Sequence, residues 1–259
     1  MKYELNQLYN EDCLVAMKDM PDNYFDLAIV DPPYGGGGDE HWGEKVQGRF
    51  GNKGGRFDRY MSEKGVHFHG RGRSAKYVPD IKCSRTGGGW AKKLDRDNSI
   101  RSWDYAPSQE YFDELRRVSK NQIIWGGNYF DLPPTRCFVV WRKLSISEQF
   151  SMAMCEYAWT SFNANAKWFE CSPQGGKDKR FHPTQKPIRL YEWLLDMYAT
   201  KGDKILDTHC GSASSLVVCH NLGYEYMGFE IDKRYYDLAS ERLALAKQQM
   251  CMFELGEIE

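Results

Sequence analysis

Short apolar runs alternate with amphipathic stretches along most of the chain, the pattern of a largely parallel sheet covered by helices. Six runs read as strands: Asp26–Val30, Asn121–Trp125, Cys137–Trp141, Glu156–Phe162, Lys204–Asp207 and Glu225–Glu230. Pro107 opens a helix running to about Lys120, and Pro187 opens another with Ile188, Tyr191, Leu194, Leu195 and Tyr198 on one face. A further helix ends near Gly223, and a last one starts at about Lys233 with Tyr235, Leu238, Ala239, Leu243 and Ala246 on its inner side. These stripes are core packing, and they predict an α/β fold. No internal repeat or linker divides the chain.

A chain of 259 residues with 41% hydrophobic content is enough for one large core, so the expectation is a single domain, 1–259, with an insertion. The insertion is where the pattern breaks. From His41 to Arg101 the sequence is rich in glycine, poor in aliphatic residues, and carries 15 Lys and Arg against 6 Asp and Glu. That is a net of +9 within a chain of net −1, so the remainder stands at −10. Such a segment suits a polyanion, with Arg49, Lys53, Arg56, Arg59, Arg71 and Arg73 as candidate phosphate contacts and the stretch Arg136–Ser147 as a helper. A solvated loop with no ligand has the same composition.

No apolar run approaches the roughly 20 residues of a membrane span, and Met1–Asn10 lacks the basic and apolar regions of a signal peptide. A cytoplasmic protein without membrane association is expected. The eight cysteines include no Cys-x-x-Cys pair, so they are read as reduced and mostly buried thiols. His67, His69 and Cys83 lack a fourth ligand at a recognisable spacing, and no metal site is expected.

Two segments carry chemistry. The strand ending at Asp207 runs into Thr-His-Cys-Gly-Ser-Ala-Ser-Ser (208–215), then a helix, then a strand ending in Glu230, 23 positions after Asp207. In such a βαβ unit the small residues let a ligand approach the helix N-terminus, while the acid accepts hydrogen bonds from a ribose. A nucleoside-containing cofactor fits better than a dinucleotide, because Gly211 is the sole glycine of the turn. The second segment is the apolar run Leu27–Val30, which ends in Asp31, Pro32, Pro33 and Tyr34. Two prolines remove two backbone donors and leave carbonyls facing outward beside a carboxylate. A planar amine is a poor nucleophile until its N–H bonds are accepted, and a carboxylate with a carbonyl does that while stabilising the positive charge that develops. An aromatic such as Tyr34 then stacks on the ring. A strand-terminating turn without catalytic duty remains the alternative.

These segments resemble the amino-methyltransferases of bacterial and phage DNA in their β-class motif order. The resemblance runs from Leu8–Cys13 (Leu-Tyr-Asn-Glu-Asp-Cys) and Pro21–Asp26 to Asp31–Tyr34. It continues through Ile123–Phe130 (Ile-Ile-Trp-Gly-Gly-Asn-Tyr-Phe) and His182–Pro187 (His-Pro-Thr-Gln-Lys-Pro) to the Asp207 and Glu230 unit. It implies a class I methyltransferase fold: a Rossmann-like, seven-stranded, doubly wound, mostly parallel sheet in circularly permuted order. It also implies S-adenosylmethionine as cofactor. Asp31, Pro32, Pro33 and Tyr34 are then catalytic. Asp12 and Cys13 lie at the cofactor's adenine, Glu230 at its ribose, Thr184 and Lys186 near its methionine carboxylate, and Asp207, His209, Gly211, Ser212 and Ser214 shape the turn. Thr208, His209 and Ala213 depart from the family's usual Pro-Phe and second glycine. Asn128 is a candidate near the target base, and His182 reads as a structural residue leading a helix.

Aspartate at the first motif position is typical of adenine enzymes, so the expected reaction is N6-adenine methylation of a flipped-out base in double-stranded DNA, within a restriction-modification setting or outside one. N4-cytosine methylation, methylation of RNA or of a protein amide, and a catalytically silent DNA-binding homologue stay open. A homodimer is compatible with the sequence; the recognition site and any partner nuclease are not legible in it.

Overall fold

The computed structural model of this chain describes residues 2–35, 105–144, 146, 153–173 and 180–256. The chain divides into two compact units. The first comprises Met1–Tyr34, Ala106–Ser145 and Cys155–Glu259 and holds all of the described helices and strands. The second, Gly35–Tyr105 with Ile146–Met154, lies almost wholly outside the described residues, and with it the basic segment, including Arg49, Lys53, Arg56, Arg59, Arg71 and Arg73, and the His67, His69 and Cys83 group.

In chain order the described elements are β1 (Gln7–Tyr9), α1 (Cys13–Lys18), β2 (Phe25–Val30), α2 (Gln109–Val118), β3 (Ser119–Trp125), a 3-10 turn (Gly127–Tyr129), β4 (Phe138–Lys143), β5 (Cys155–Thr160), β6 (Lys167–Cys171), α3 (Ile188–Tyr198), β7 (Lys204–Asp207), α4 (Ser214–Leu222), β8 (Glu225–Phe229) and α5 (Lys233–Gly256). The eight strands form one sheet in the order β1-β8-β7-β2-β3-β5-β4-β6. Pairing is parallel except where β5 runs antiparallel to β3 and β4. The doubly wound α/β expectation holds, with eight strands in place of seven. The additional edge strand β6 alternates half-exposed and exposed residues, and so offers no continuous apolar run to announce it. The three-residue β1 is too short for an alternating pattern to show in the sequence.

Two cores sandwich the sheet. On one face α3, α4 and α5 cover Leu27, Ile29, Ile123, Trp125 and Ile205; on the other α1 and α2 cover Phe25, Ala28, Val30, Ile124 and Leu206. Because successive strand residues point to opposite faces, burial on both sides explains why the central strands are apolar throughout. Arg117 ties α2 to α1, donating to the carbonyls of Met17 at 2.6 Å and Met20 at 2.7 Å, so the segment after α1 enters β2 at a set angle. Among the described residues no helix is long and apolar enough to cross a membrane, and Cys13, Cys137, Cys155, Cys171, Cys210 and Cys219 are free thiols.

Candidate active site

Strands β8, β7, β2 and β3 lie side by side and parallel, and their C-terminal ends carry Glu230, Asp207, Asp31 and Trp125. The helix after β7 packs on one face of the sheet and the helix before β3 on the other, so β7 and β2 flank the place where the winding reverses. Carboxyl ends at such a switch point are where open α/β sheets bind ligands.

The β7 turn is stitched to the end of β8. Cys210 N–H donates to the Phe229 carbonyl at 2.9 Å and Gly211 N–H to Glu230 Oε2 at 2.8 Å. Gly211 (φ +52°) and Ala213 (φ +56°) are both left-handed, a conformation that glycine adopts freely and alanine only at a cost. At Gly211 a side chain would crowd the His182 ring, whose atoms lie 3.1 Å from where a Cβ would stand. His182 is buried, packs edge-on to Tyr235 and has Nδ1 3.2 Å from the Thr184 hydroxyl; burial drives its pKa down to about 3. It is a neutral spacer holding the 182–187 loop against the turn.

Glu230 is buried and each carboxylate oxygen accepts one backbone bond, from Gly211 N–H and from Asp232 N–H at 2.8 Å. Burial raises its pKa to about 7, and none of its bonded partners is a cation. Such an acid, with acceptor capacity left on both oxygens, suits a vicinal diol. Asn10 links the end of β1 to this acid by donating to the Glu230 carbonyl at 2.8 Å; Asp12 caps α1 through Leu14 N–H, and Cys13 is buried as a thiol. Asp207 accepts bonds from Ser215 and from His209 N–H, and burial lifts its pKa to about 6. The Ser212 and Ser214 hydroxyls lie 3.1 Å apart, and Arg242 of α5 donates to Ser214 Oγ and the Ser212 carbonyl, so these serines brace the turn. His209 faces inward, with Nδ1 2.9 Å from the Thr208 hydroxyl, which in turn lies 2.6 Å from Tyr111 Oη.

At the end of β2, both oxygens of Asp31 are engaged. The Tyr34 hydroxyl donates to Oδ1 at 3.0 Å, and the Lys186 ammonium sits on Oδ2. Lys186 is buried, lies 3.2 Å from Glu156 Oε2 and stands 5.1 Å over the Trp125 ring; Lys143 meets the other oxygen of Glu156 at 2.5 Å. Burial pushes the Asp31 carboxyl upward and Lys186 pulls it back, leaving it above the usual carboxylate range. Glu156, also disfavoured by burial, is held down to about 2 by Lys186 and Lys143. The family resemblance implies Lys186 near a cofactor carboxylate; here its charge meets two side-chain carboxylates. Glu156 and Lys143 were not singled out in the sequence. The one signal for Glu156 was an acid at the head of the run Glu156–Phe162 that reads as a strand.

The Tyr34 ring stacks on Tyr129, 4.6 Å between centroids, and lies against Gly126, where a Cβ would overlap the ring. This explains the paired glycines after β3: Gly126 (φ +68°) makes room for Tyr34, and Gly127 makes room for Trp159, whose Cβ lies 2.5 Å from where its own Cβ would stand. Asn128 is exposed on the same turn. Thus Asp12, Cys13, Asp31, Pro32, Pro33, Tyr34, Thr184, Lys186, Asp207, His209, Gly211, Ser212, Ser214 and Glu230 all fall in the first unit.

A family profile described as DNA methylase matches residues 25–241. Among curated proteins, the Type II methyltransferase M.HpaI of Haemophilus parainfluenzae is 40% identical over 67 residues, 26% of this chain and 21% of that protein. The Type II methyltransferase M2.DpnII of Streptococcus pneumoniae is 40% identical over 62 residues, 24% of this chain and 23% of that protein. The aligned part thus spans between a fifth and a quarter of these relatives. Among solved structures, PvuII DNA methyltransferase (cytosine-N4-specific) superposes with a TM-score of 0.52 at 10% identity, covering 94% of this chain and 91% of that one, which is a likeness of fold.

Proposed function

The chain belongs to the N6/N4 DNA methylase family, and on that premise we propose that it transfers a methyl group from S-adenosylmethionine to the N6 amine of an adenine extruded from double-stranded DNA. The observation that carries this reading is the place of Asp31. It follows β2, beside the strand that ends in Asp207, and is succeeded by two residues without backbone N–H. An acceptor site for a planar amine therefore adjoins an acid-rimmed site for a nucleoside.

When bound, S-adenosylmethionine supplies an electrophilic sulfonium methyl. Glu230 would accept hydrogen bonds from its ribose hydroxyls, while Asp12 and Cys13 would lie at its adenine. Thr184 and the Asp207 turn, with His209, Gly211, Ser212 and Ser214, would shape the pocket around its methionine part. Asp31 accepts one N–H of the target amine and the Pro32 or Pro33 carbonyl the other, so the nitrogen lone pair is released from conjugation with the ring and the positive charge forming on nitrogen is stabilised. Tyr34 stays protonated, since burial and Asp31 push its pKa far up, and its ring with Tyr129 offers an aromatic platform for the base. Asn128, exposed on the same turn as Tyr129, is assigned to the surroundings of the base. Aspartate in place of serine at the motif's first position favours adenine over cytosine. We assign DNA contact to the basic segment inserted at about 41–101, in an otherwise single methyltransferase domain.

The test is to incubate the protein with S-adenosylmethionine and DNA from a methylation-deficient host, digest to nucleosides and quantify methylated bases by mass spectrometry. N6-methyldeoxyadenosine is expected. N4-methyldeoxycytidine would overturn the choice of base, and no methylated base despite cofactor binding would direct the search to RNA or protein substrates.

A further inference from the structure

Asp31 is an acceptor for an amine that gains positive charge as it reacts, yet a buried ammonium, Lys186, already sits on it. Left uncompensated, that cation would oppose the developing charge through a water-poor interior, where Coulomb forces are weakly screened. It would also hold the Asp31 oxygen that the amine needs. Glu156 bears on both difficulties. It lies 3.2 Å from Lys186, and its second oxygen is fixed by Lys143 at 2.5 Å, so a pinned carboxylate shares the ammonium that sits on Asp31 and offsets its charge. Charges along the row alternate: Lys143, Glu156, Lys186, Asp31. All four lie in strand ends or loops of the same unit, and the row sums to zero.

We propose that Glu156 is a positioning residue for the transfer, sharing Lys186 with Asp31 so that Asp31, ionised by that cation, stays oriented and able to accept the incoming amine. The proposal rests on the reading of Asp31 as the amine acceptor. Lys186 supplies the cation that keeps a buried Asp31 ionised; Glu156 limits how tightly that cation binds it. Lys143 fixes Glu156 and touches neither Lys186 nor Asp31 among the ion pairs of the described residues.

Removing either charge should move the Asp31 titration, in opposite directions. Besides Lys186, Glu156 and Tyr34, the ionisable groups that bear on Asp31 are Asp207 at the end of β7, Tyr111 on α2 and Tyr191 on α3. Both variants leave these untouched. Glu156→Gln deletes a negative charge, so the Asp31 midpoint falls; Lys186→Met deletes a positive charge, so it rises, each by about one pH unit or more. A residue that merely supported the fold would not produce opposed shifts.

The experiment measures the Asp31 carboxyl titration by carbon-13 NMR in wild type, Glu156→Gln and Lys186→Met, with Asp31→Asn to assign the resonance. Steady-state methyl transfer and melting temperature are measured alongside. In Glu156→Gln we expect the midpoint lowered and kcat reduced at least tenfold. KM for DNA and cofactor affinity should stay within about threefold, with a melting temperature near that of wild type. A Glu156→Gln protein with wild-type kcat overturns the proposal, as does one whose loss follows its melting temperature with the Asp31 midpoint unmoved. Should Glu156→Gln fail to fold, Lys143→Met, which frees Glu156 without removing it, must lower kcat with KM unchanged, and an unchanged kcat overturns the proposal. Failure of the underlying reading is separately visible: a wild-type protein that forms no methylated base overturns the transfer assignment and the positioning role with it, whatever the midpoints do.

Discussion

With Asp31 cut back to alanine, Lys186 keeps Glu156 as a partner at 3.2 Å, so no buried charge is stranded and the fold should persist. Asp31→Ala is therefore expected to lower methyl transfer by several orders of magnitude while cofactor affinity, read by calorimetry, stays within a few-fold; turnover near the wild-type rate would remove Asp31 from the reaction. Glu230 makes a different prediction, because its carboxyl is lifted from an ordinary 4.5 to about 7 by burial. An ionised acid accepts ribose hydroxyls better, so S-adenosylmethionine should bind roughly tenfold more tightly at pH 8 than at pH 6. The unliganded fold has the opposite dependence. A raised carboxyl pKa contributes stability present below its unfolded value and lost as pH rises through the folded one, so this contribution fades between about pH 4.5 and pH 7. Affinity that is flat with pH would take Glu230 out of the cofactor site.

At the level of elements, the turn after β3 is the tightest coupling between backbone and chemistry. Gly126 has φ +68°, and a Cβ there would overlap the ring of Tyr34. Gly126→Ala should cost about 1–2 kcal/mol from the left-handed backbone alone and displace Tyr34 from its bond to Asp31. Fluorescence melting should show the first effect, and a fall in kcat with cofactor affinity intact the second; an unchanged kcat would mean that Tyr34 need not stand where it does. Most elements were legible in the sequence because their causes are local. Apolar runs on β2, β3 and β7 reflect burial on both faces, and the stripes of α3 and α5 reflect one-sided packing. The helix α1 and the strands β1 and β6 were not, since each is too short or too half-exposed for its periodicity to stand out.

At the scale of the molecule, charge is segregated: +9 between His41 and Arg101 against −10 elsewhere. Replacing Arg49, Lys53, Arg56, Arg59, Arg71 and Arg73 with glutamine should weaken DNA binding and flatten its dependence on salt, by roughly one unit of log-log slope for each phosphate no longer neutralised. A slope equal to that of wild type would move the DNA-contacting surface elsewhere. The family and the α/β class were legible in the sequence alone, which also singled out Asp31, Asp207 and Glu230, three acids that the fold sets at neighbouring strand ends. Strand ends, prolines and small-residue turns are written in consecutive residues, and their physics is steric and local. The charge row through Lys143, Glu156, Lys186 and Asp31 was decided by tertiary structure. Lys186 and Asp31 are 155 positions apart, and nothing along the chain states which buried lysine meets which acid. That choice depends on the antiparallel placing of β5 between β3 and β4, and on the loop before α3 that brings Lys186 over Trp125. Packing brings these charges together, because a buried charge must find a partner wherever the chain supplies one.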